Sequence, residues 1–219
     1  MAWVVVTGAN RGIGLELCRQ YQARGDAVVG VCRTAGPGLR DLEIDVIEGV
    51  DVSEPASFEA LSGGLAGRSV DILVNNAGIL ARDTLDSLDP GTIQRQFAVN
   101  SLGPLLVTRA VLPNLVRGSR VGIVTSRMGS IGDNGSGGYY GYRMSKAAVN
   151  MAGVSLARDL ADRGIAVMLL HPGMVATDMT GHHGTPVEAA AAGLIQRLDE
   201  LDLASSGSFR HAEGEVLPW

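Results

Sequence analysis

Thr7-Gly8-Ala9-Asn10-Arg11-Gly12-Ile13-Gly14 is the stretch on which the fold turns. Before it, Trp3 to Val6 is an apolar, valine-rich run with the composition of a buried strand. After it, Ile13, Leu17 and Tyr21 recur four apart, which makes one helical face apolar, and Gly25 supplies a stop. Ala27 to Cys32 is apolar again and reads as a second strand. The first ~30 residues are therefore one strand–helix–strand unit with a Gly-rich turn at its first junction. Glycines let a phosphate approach the backbone, and a helix start offers unpaired N–H groups and the positive end of the helix dipole. Gly8, Asn10, Arg11, Gly12, Ile13 and Gly14 are thus candidate cofactor-binding residues. The spacing is G-x-x-x-G-x-G, and such a turn alone also serves as an ordinary strand-to-helix connection.

The same alternation continues outward. Val70 to Val74, Val121 to Thr125 and Ile165 to Leu170 read as buried strands, with helical stretches at Thr92 to Val116 and Tyr142 to Arg163. Thr185-Pro186-Val187-Glu188 reads as a capping box opening another helix, and Ser208 to His211 as a last short strand. The Gly-rich stretches 35–38 and 132–138 read as loops. Residues 174–186, polar and aperiodic over most of their length, are a candidate substrate lid. This pattern predicts one α/β domain over residues 1–219, a doubly wound parallel sheet of Rossmann type with helices on both faces.

Bulk properties narrow the function classes. The chain has 219 residues, of which 46% are apolar but only 4% aromatic, so its core must be built from Val, Leu, Ile and Ala. The net charge of −5, with no long basic run, predicts no nucleic-acid partner. No apolar run is long enough to span a bilayer and no signal peptide is evident, so the expectation is a cytoplasmic protein without a membrane partner. Cys18 and Cys32 read as packed thiols. His182 and His183 lack further ligands at suitable spacing, so no metal is expected.

Several residues carry chemistry. The second strand ends in Cys32-Arg33, where an acid would otherwise bind the ribose hydroxyls; Arg33 and Arg11 suit a 2′-phosphate instead, unless they are merely solvated. Tyr142 and Lys146 lie four apart on one helix face. A nearby ammonium should lower the phenol's pKa, as a proton donor and acceptor for an alcohol–ketone pair requires. Ser126 follows a strand at its C-terminal end, where doubly wound sheets bind ligands, and its hydroxyl could polarise a carbonyl. Asn76, Ala77 and Gly78 follow another strand in the same way, small enough for a cofactor to lie close. Their bland readings are a surface ladder, a turn-capping serine and an Asn-rich turn. His171, at a strand end before Pro172, reads as structural.

Taken together, Thr7–Gly14, Asn75–Gly78, Asn100, Ser126, Tyr142, Lys146 and Pro172-Gly173 resemble the short-chain dehydrogenase/reductase family over most of the chain. Ser126–Ser130, Gly137–Arg143 and the ending Glu213–Trp219 further resemble its C-factor and sniffer-like carbonyl reductase branch. The resemblance implies that Tyr142 is the general acid/base and that Lys146 tunes it and binds the nicotinamide ribose. It implies that Ser126 orients the carbonyl and that the Asn100 main chain anchors a water of a proton relay. Pro172, Gly173, Val175 and Thr177 would line the nicotinamide, and Asp51-Val52 the adenine, with Asp45-Val46 a competing pair.

Ser126 and Tyr142 stand further apart than is commonest in that family, which leaves Ser130 as an alternative serine. Tyr139 and Tyr140 are alternative tyrosines, but neither has a lysine four residues later. Pro104, four after Asn100, lacks the N–H that an α-helix would place on the Asn100 carbonyl, so a kink is expected there. The sequence thus predicts hydride transfer between NADP(H) and a carbonyl or alcohol carbon of a small molecule. Ile79, Leu80, Ile131, Tyr140, Met174 and Met179 suggest a hydrophobic substrate. A homodimer or homotetramer is implied by the resemblance and by the long helices. The alternative function is a dinucleotide-binding signalling or redox-sensing protein of the same fold.

Overall fold

The computed structural model describes residues 1–219. In chain order it contains β1 (Trp3–Thr7), α1 (Gly12–Ala23), β2 (Ala27–Val31), α2 (Pro37–Arg40), β3 (Asp45–Ile47), α3 (Phe58–Gly64) and β4 (Val70–Asn75). These are followed by α4 (Pro90–Phe97), α5 (Gly103–Val111), β5 (Leu115–Val124), α6 (Tyr140–Ala161), β6 (Ala166–His171), α7 (Val187–Glu200) and β7 (Phe209–His211). The seven strands form one parallel sheet in the order β3-β2-β1-β4-β5-β6-β7. The order reverses between β1 and β4, and the C-terminal strand ends beside that reversal are where such a sheet leaves a crevice.

The valines of β1 explain its burial on both faces. Val4 and Val6 join a core with α1 and α7, while Val5 joins the opposite core with α3, α5 and α6. Both layers are mostly aliphatic, with Tyr21 in the first and Phe58 in the second, and Cys18 and Cys32 are free, buried members of the first. Burial pushes the Cys18 thiol up to about 12, so it packs as a small apolar group. Gly25, at φ +89°, ends α1 as its position predicts.

Four sequence expectations are corrected. The stretch Thr92 to Val116 is not one helix: α4 passes through a π-helical turn at Ala98–Leu102 into α5, which ends at Val111. The N–H of Gly103 reaches back five residues to the Ala98 carbonyl, immediately before the proline that cannot donate. Strand β5 starts earlier than expected because Leu115 pairs with Val70, with a bulge before Arg120 pairs with Ile72. The capping box at Thr185 is absent. Thr185 is instead bridged to Val175, its N–H on the Met174 carbonyl and its carbonyl taking the Ala176 N–H, and the helix begins at Val187. Finally, residues 37–40 are a helical turn opened by Pro37, not a plain loop.

Candidate functional site

Thr7 closes β1 with a hydroxyl that accepts the N–H groups of Asn76 and Ala77 at 3.0 and 3.2 Å. In return the Asn76 amide donates to the Thr7 carbonyl at 3.0 Å and to the Gly8 carbonyl at 3.4 Å. The turn after β1 and the loop after β4 are thereby one bonded unit. Glycine makes the approach possible. At Gly8, φ +67°, a Cβ would lie 2.9 Å from Ala77 Cα, and at Gly14 it would overlap the Gly8 carbonyl and the Asn76 amide. At Gly12, φ +54°, it would meet the Thr177 methyl at 3.4 Å, so the segment after β6 lies against the turn as well.

Helix α1 opens at this turn with neither a side-chain cap nor an acid in its first turn. Its leading N–H groups and positive dipole end are the chemistry an anionic diphosphate requires. Asn10 is half-buried beside Gly36, and Ile13 packs at the edge of the first core. Arg11 is exposed and pairs with Asp178 at 3.2 Å. Arg33, just beyond β2, is exposed and 3.7 Å from Asp51. Although burial opposes it, hydrogen bonds from Ser53 and the charge of Arg33 hold the Asp51 carboxyl below its ordinary value. Val52 is buried against Gly103. Asp45 opens β3 and pairs with Arg68, whereas Asp51 and Val52 follow the C-terminal end of that strand.

Tyr142 lies in the first turn of α6 and Lys146 one turn later, both buried. The Lys146 ammonium is 5.7 Å from the Tyr142 ring centroid and donates to the Val124 carbonyl. Burial draws its pKa down to about 8. Burial raises that of Tyr142, and the neighbouring Ser126 hydroxyl pulls the other way. The expected depression of the phenol by Lys146 is therefore not the prevailing effect in this geometry. A Cβ at Gly78 would sit 3.4 Å from Asn100 Oδ1 and 3.7 Å from Lys146 Nζ, which makes Gly78 the open side of this cluster.

The structure separates the alternative serines and tyrosines. Ser126 caps the turn after β5 by accepting the Met128 N–H at 3.1 Å, and reaches Tyr142. Ser130 instead donates to the Trp219 carbonyl. Tyr139 is left-handed at φ 51° ahead of α6, and Tyr140 is largely exposed.

Asn100 acts through its side chain: it accepts the Ile79 N–H and donates to the Ile79 carbonyl, both at 2.8 Å, and donates to the Ser145 hydroxyl at 3.0 Å. Pro172 and Gly173, φ +87°, follow β6. Val175 is buried, its carbonyl accepting the Thr177 N–H and the Thr180 hydroxyl. His171 stands edge-on to His211 at 5.1 Å, and burial, then the nearby cations, bring its pKa down to about 3, so its ring is neutral.

Sequence reasoning missed the supports. The Thr125 hydroxyl donates to Asn150, which donates to the Gly129 carbonyl, fixing the serine turn on α6. The Arg143 guanidinium binds the Gly138 and Met128 carbonyls and the Ser136 hydroxyl, so it gathers the long 128–138 loop. No spacing signals such partners, because each contact depends on how α6 meets a distant loop. A surface cavity of about 510 Å³ lined by Met1, Arg24, Asp26, Asp71 and Arg120 includes none of the expected site residues.

Comparison with known proteins agrees with this geometry. The family model for short chain dehydrogenases matches residues 2–188. The chain is 47% identical to 1-hydroxy-2-glutathionyl-2-methyl-3-butene dehydrogenase of Rhodococcus sp. (strain AD45), over all of both chains. It is 46% identical to C-signal of Myxococcus xanthus, over 68% of this chain and 93% of that one. Among solved structures, the NADPH-bound carbonyl reductase from chicken fatty liver superposes with a TM-score of 0.92 at 30% identity, covering 100% of this chain and 99% of its own. The carbonyl reductase Sniffer of D. melanogaster gives 0.92 at 28% identity, covering 100% of both. With its sheet order, its Gly-rich turn and the Tyr142–Lys146 pair, this chain belongs to the short-chain dehydrogenase family.

Proposed function

We propose that the chain reduces a carbonyl group on a small molecule with NADPH, Tyr142 giving the proton to the carbonyl oxygen. The observation that carries this reading is the meeting of Tyr142, Ser126 and Lys146 at the end of β5, next to an uncapped helix start. When bound, NADPH supplies the hydride that goes to the carbonyl carbon. The α1 N-terminus and Gly8, Gly12 and Gly14 would hold its diphosphate, Arg11 and Arg33 its 2′-phosphate, and Asp51-Val52 its adenine. Lys146, Pro172, Gly173, Val175 and Thr177 would border its nicotinamide half. Use of NADPH is supported by the NADPH-bound carbonyl reductase that this chain resembles.

The Ser126 hydroxyl, close enough to the Tyr142 phenol to influence it, would share the substrate oxygen and so hold it in line with the phenol. Burial holds Tyr142 in its protonated form, the form that a proton donor to the carbonyl oxygen requires. The Lys146 ammonium stabilises the phenolate left behind. Ile131, Met174 and Met179, all exposed in loops bordering the site, favour a substrate with an apolar body. Residues 174–186, joined to the cofactor turn by Arg11–Asp178 and Gly12–Thr177, would form its cover. Exposed Leu102 just before α5, Leu105 on α5, and Met144 and Met151 on α6 favour self-association through these helices.

The test is Tyr142→Phe, assayed with NADPH and NADH against a panel of aldehydes, ketones and quinones. Turnover should be abolished while NADPH affinity stays within about twofold, since a lost proton donor acts on the transition state. Activity within a few-fold of the parent would overturn the assignment. Retention of both Tyr142 and Lys146 favours catalysis over a purely signalling role, although the Myxococcus relative is named as a signal.

A further inference from the structure

Helix α6 carries Tyr142, yet its own sequence does nothing to begin it. The residues ahead, Gly137, Gly138 and Tyr139, are all left-handed, at φ 65°, 62° and 51°. Tyr139 occupies the cap position without a side-chain hydrogen bond, and the first turn contains no acid. A helix start leaves four N–H groups without intrahelical partners, and buried ones need acceptors from elsewhere.

One distant residue supplies acceptors for three N–H groups at this start. Asp83 lies between β4 and α4 and is only 6% exposed. Its carbonyl accepts the Tyr139 N–H at 3.0 Å, and its carboxylate accepts the N–H of Gly141 at 3.0 Å and that of Tyr140. Gly141 permits the approach, because a Cβ there would stand 3.2 Å from Asp83 Oδ2 and overlap the buried Gln96 amide. Gln96 in turn accepts the Ala81 N–H at 2.9 Å, so the loop is held on both sides of Arg82. The residue after this bonded trio is Tyr142.

We propose that Asp83 is a positioning residue for Tyr142: it caps the catalytic helix from 56 to 58 residues away and fixes where the phenol stands relative to Ser126. It touches no reacting atom. Its carboxylate is a negative charge at the positive end of the helix dipole, where an anion is most stabilising. This inference rests on the catalytic reading of Tyr142.

The experiment compares Asp83→Ala and Asp83→Asn with the parent, using a para-nitro-substituted benzaldehyde and NADPH. Misplacement of a proton donor by a fraction of an ångström should lower kcat by about tenfold to a hundredfold in Asp83→Ala, with NADPH Kd within about twofold. Asp83→Asn keeps an acceptor in place and should recover part of kcat. Unchanged kcat in Asp83→Ala, or kcat and NADPH affinity falling together, overturns the proposal. If the parent turns over no carbonyl compound, the catalytic reading fails separately. The positioning role is then decided by ultraviolet phenolate titration, taken as the difference between each protein and its Tyr142→Phe form. A Tyr142 titration that departs from the parent's in Asp83→Ala and returns towards it in Asp83→Asn supports the role, and one identical to the parent's in Asp83→Ala overturns it.

Discussion

The ε-amino group of Lys146 donates to the carbonyl oxygen of Val124 at 2.9 Å. Val124 is the last residue of β5, two before Ser126, so this bond joins the helix bearing the tyrosine to the strand presenting the serine. It also holds an ammonium where water does not reach.

That burial predicts a measurable penalty. The Lys146 pKa falls from 10.5 to about 8 on folding, so the unfolded chain binds more protons between those values and stability rises with pH across that window. Below pH about 8 the penalty is fully present, on the order of 3 kcal/mol. Lys146→Met removes it but strands the Val124 carbonyl, which costs about 1–3 kcal/mol. We expect an inactive variant at least as stable as the parent at neutral pH, with the difference moving in the parent's favour above the window. Urea unfolding of both proteins on either side of the window checks this, and parallel pH dependences would refute it.

The two serines should separate cleanly. Ser126→Ala should reduce kcat on the order of a hundredfold, the loss typical of one hydrogen-bond donor to a reacting oxygen. Ser130→Ala gives up its bonds to Trp219 and Asp133 and should lower stability by about 1 kcal/mol, leaving kcat within a few-fold. Steady-state kinetics and thermal melts of both variants decide it; equal losses of kcat would contradict the assignment.

Pro104→Ala tests the π-helical turn. Alanine restores an N–H that can bond the Asn100 carbonyl, so Ala98–Leu102 is free to relax to α-helix. If the Asn100 main chain serves a proton relay, turnover should fall several-fold with little change in NADPH binding, and the melting temperature should hold or rise. A more stable variant with parental turnover would sink the relay role.

Cofactor choice should reside in Arg11 and Arg33. Charge-assisted bonds to a phosphate are stronger than neutral ones, so changing both to Ala should raise KM for NADPH roughly tenfold or more. KM for NADH should stay within about twofold. Equal use of the two cofactors by the parent protein would argue against the reading.

The fold was legible because its signals are local: the valines of β1, the Ile13–Leu17–Tyr21 stripe and Gly25 each act within a few residues. Tyr142 and Lys146 were legible for the same reason, being one helical turn apart. The helix at 92–116 was misjudged because its apolar period persists through Pro104, and only backbone hydrogen bonding reveals the π turn. Thr185 failed as a cap because a bridge to Val175, ten residues earlier, claimed its backbone. The side-chain contacts of Asn76 and Asn100, one binding the turn at Gly8 and the other Ile79, were not legible, because both depend on segments far apart in the chain.

The Thr7 hydroxyl, shared by Asn76 and Ala77, makes the floor of the crevice a single keystone, and shifting one loop drags the other with it. Arg33 and Asp51 stand outside that keystone, on the β2 and β3 side, bonded to each other and to Ser53 but not to Thr7. Of the two arginines proposed for the 2′-phosphate, Arg33 belongs to this rim, whereas Arg11 is part of the Gly-rich turn on the floor. Rewriting the rim alone would therefore reach only half of the proposed preference, and a full exchange of cofactor would have to alter the floor at Arg11 as well.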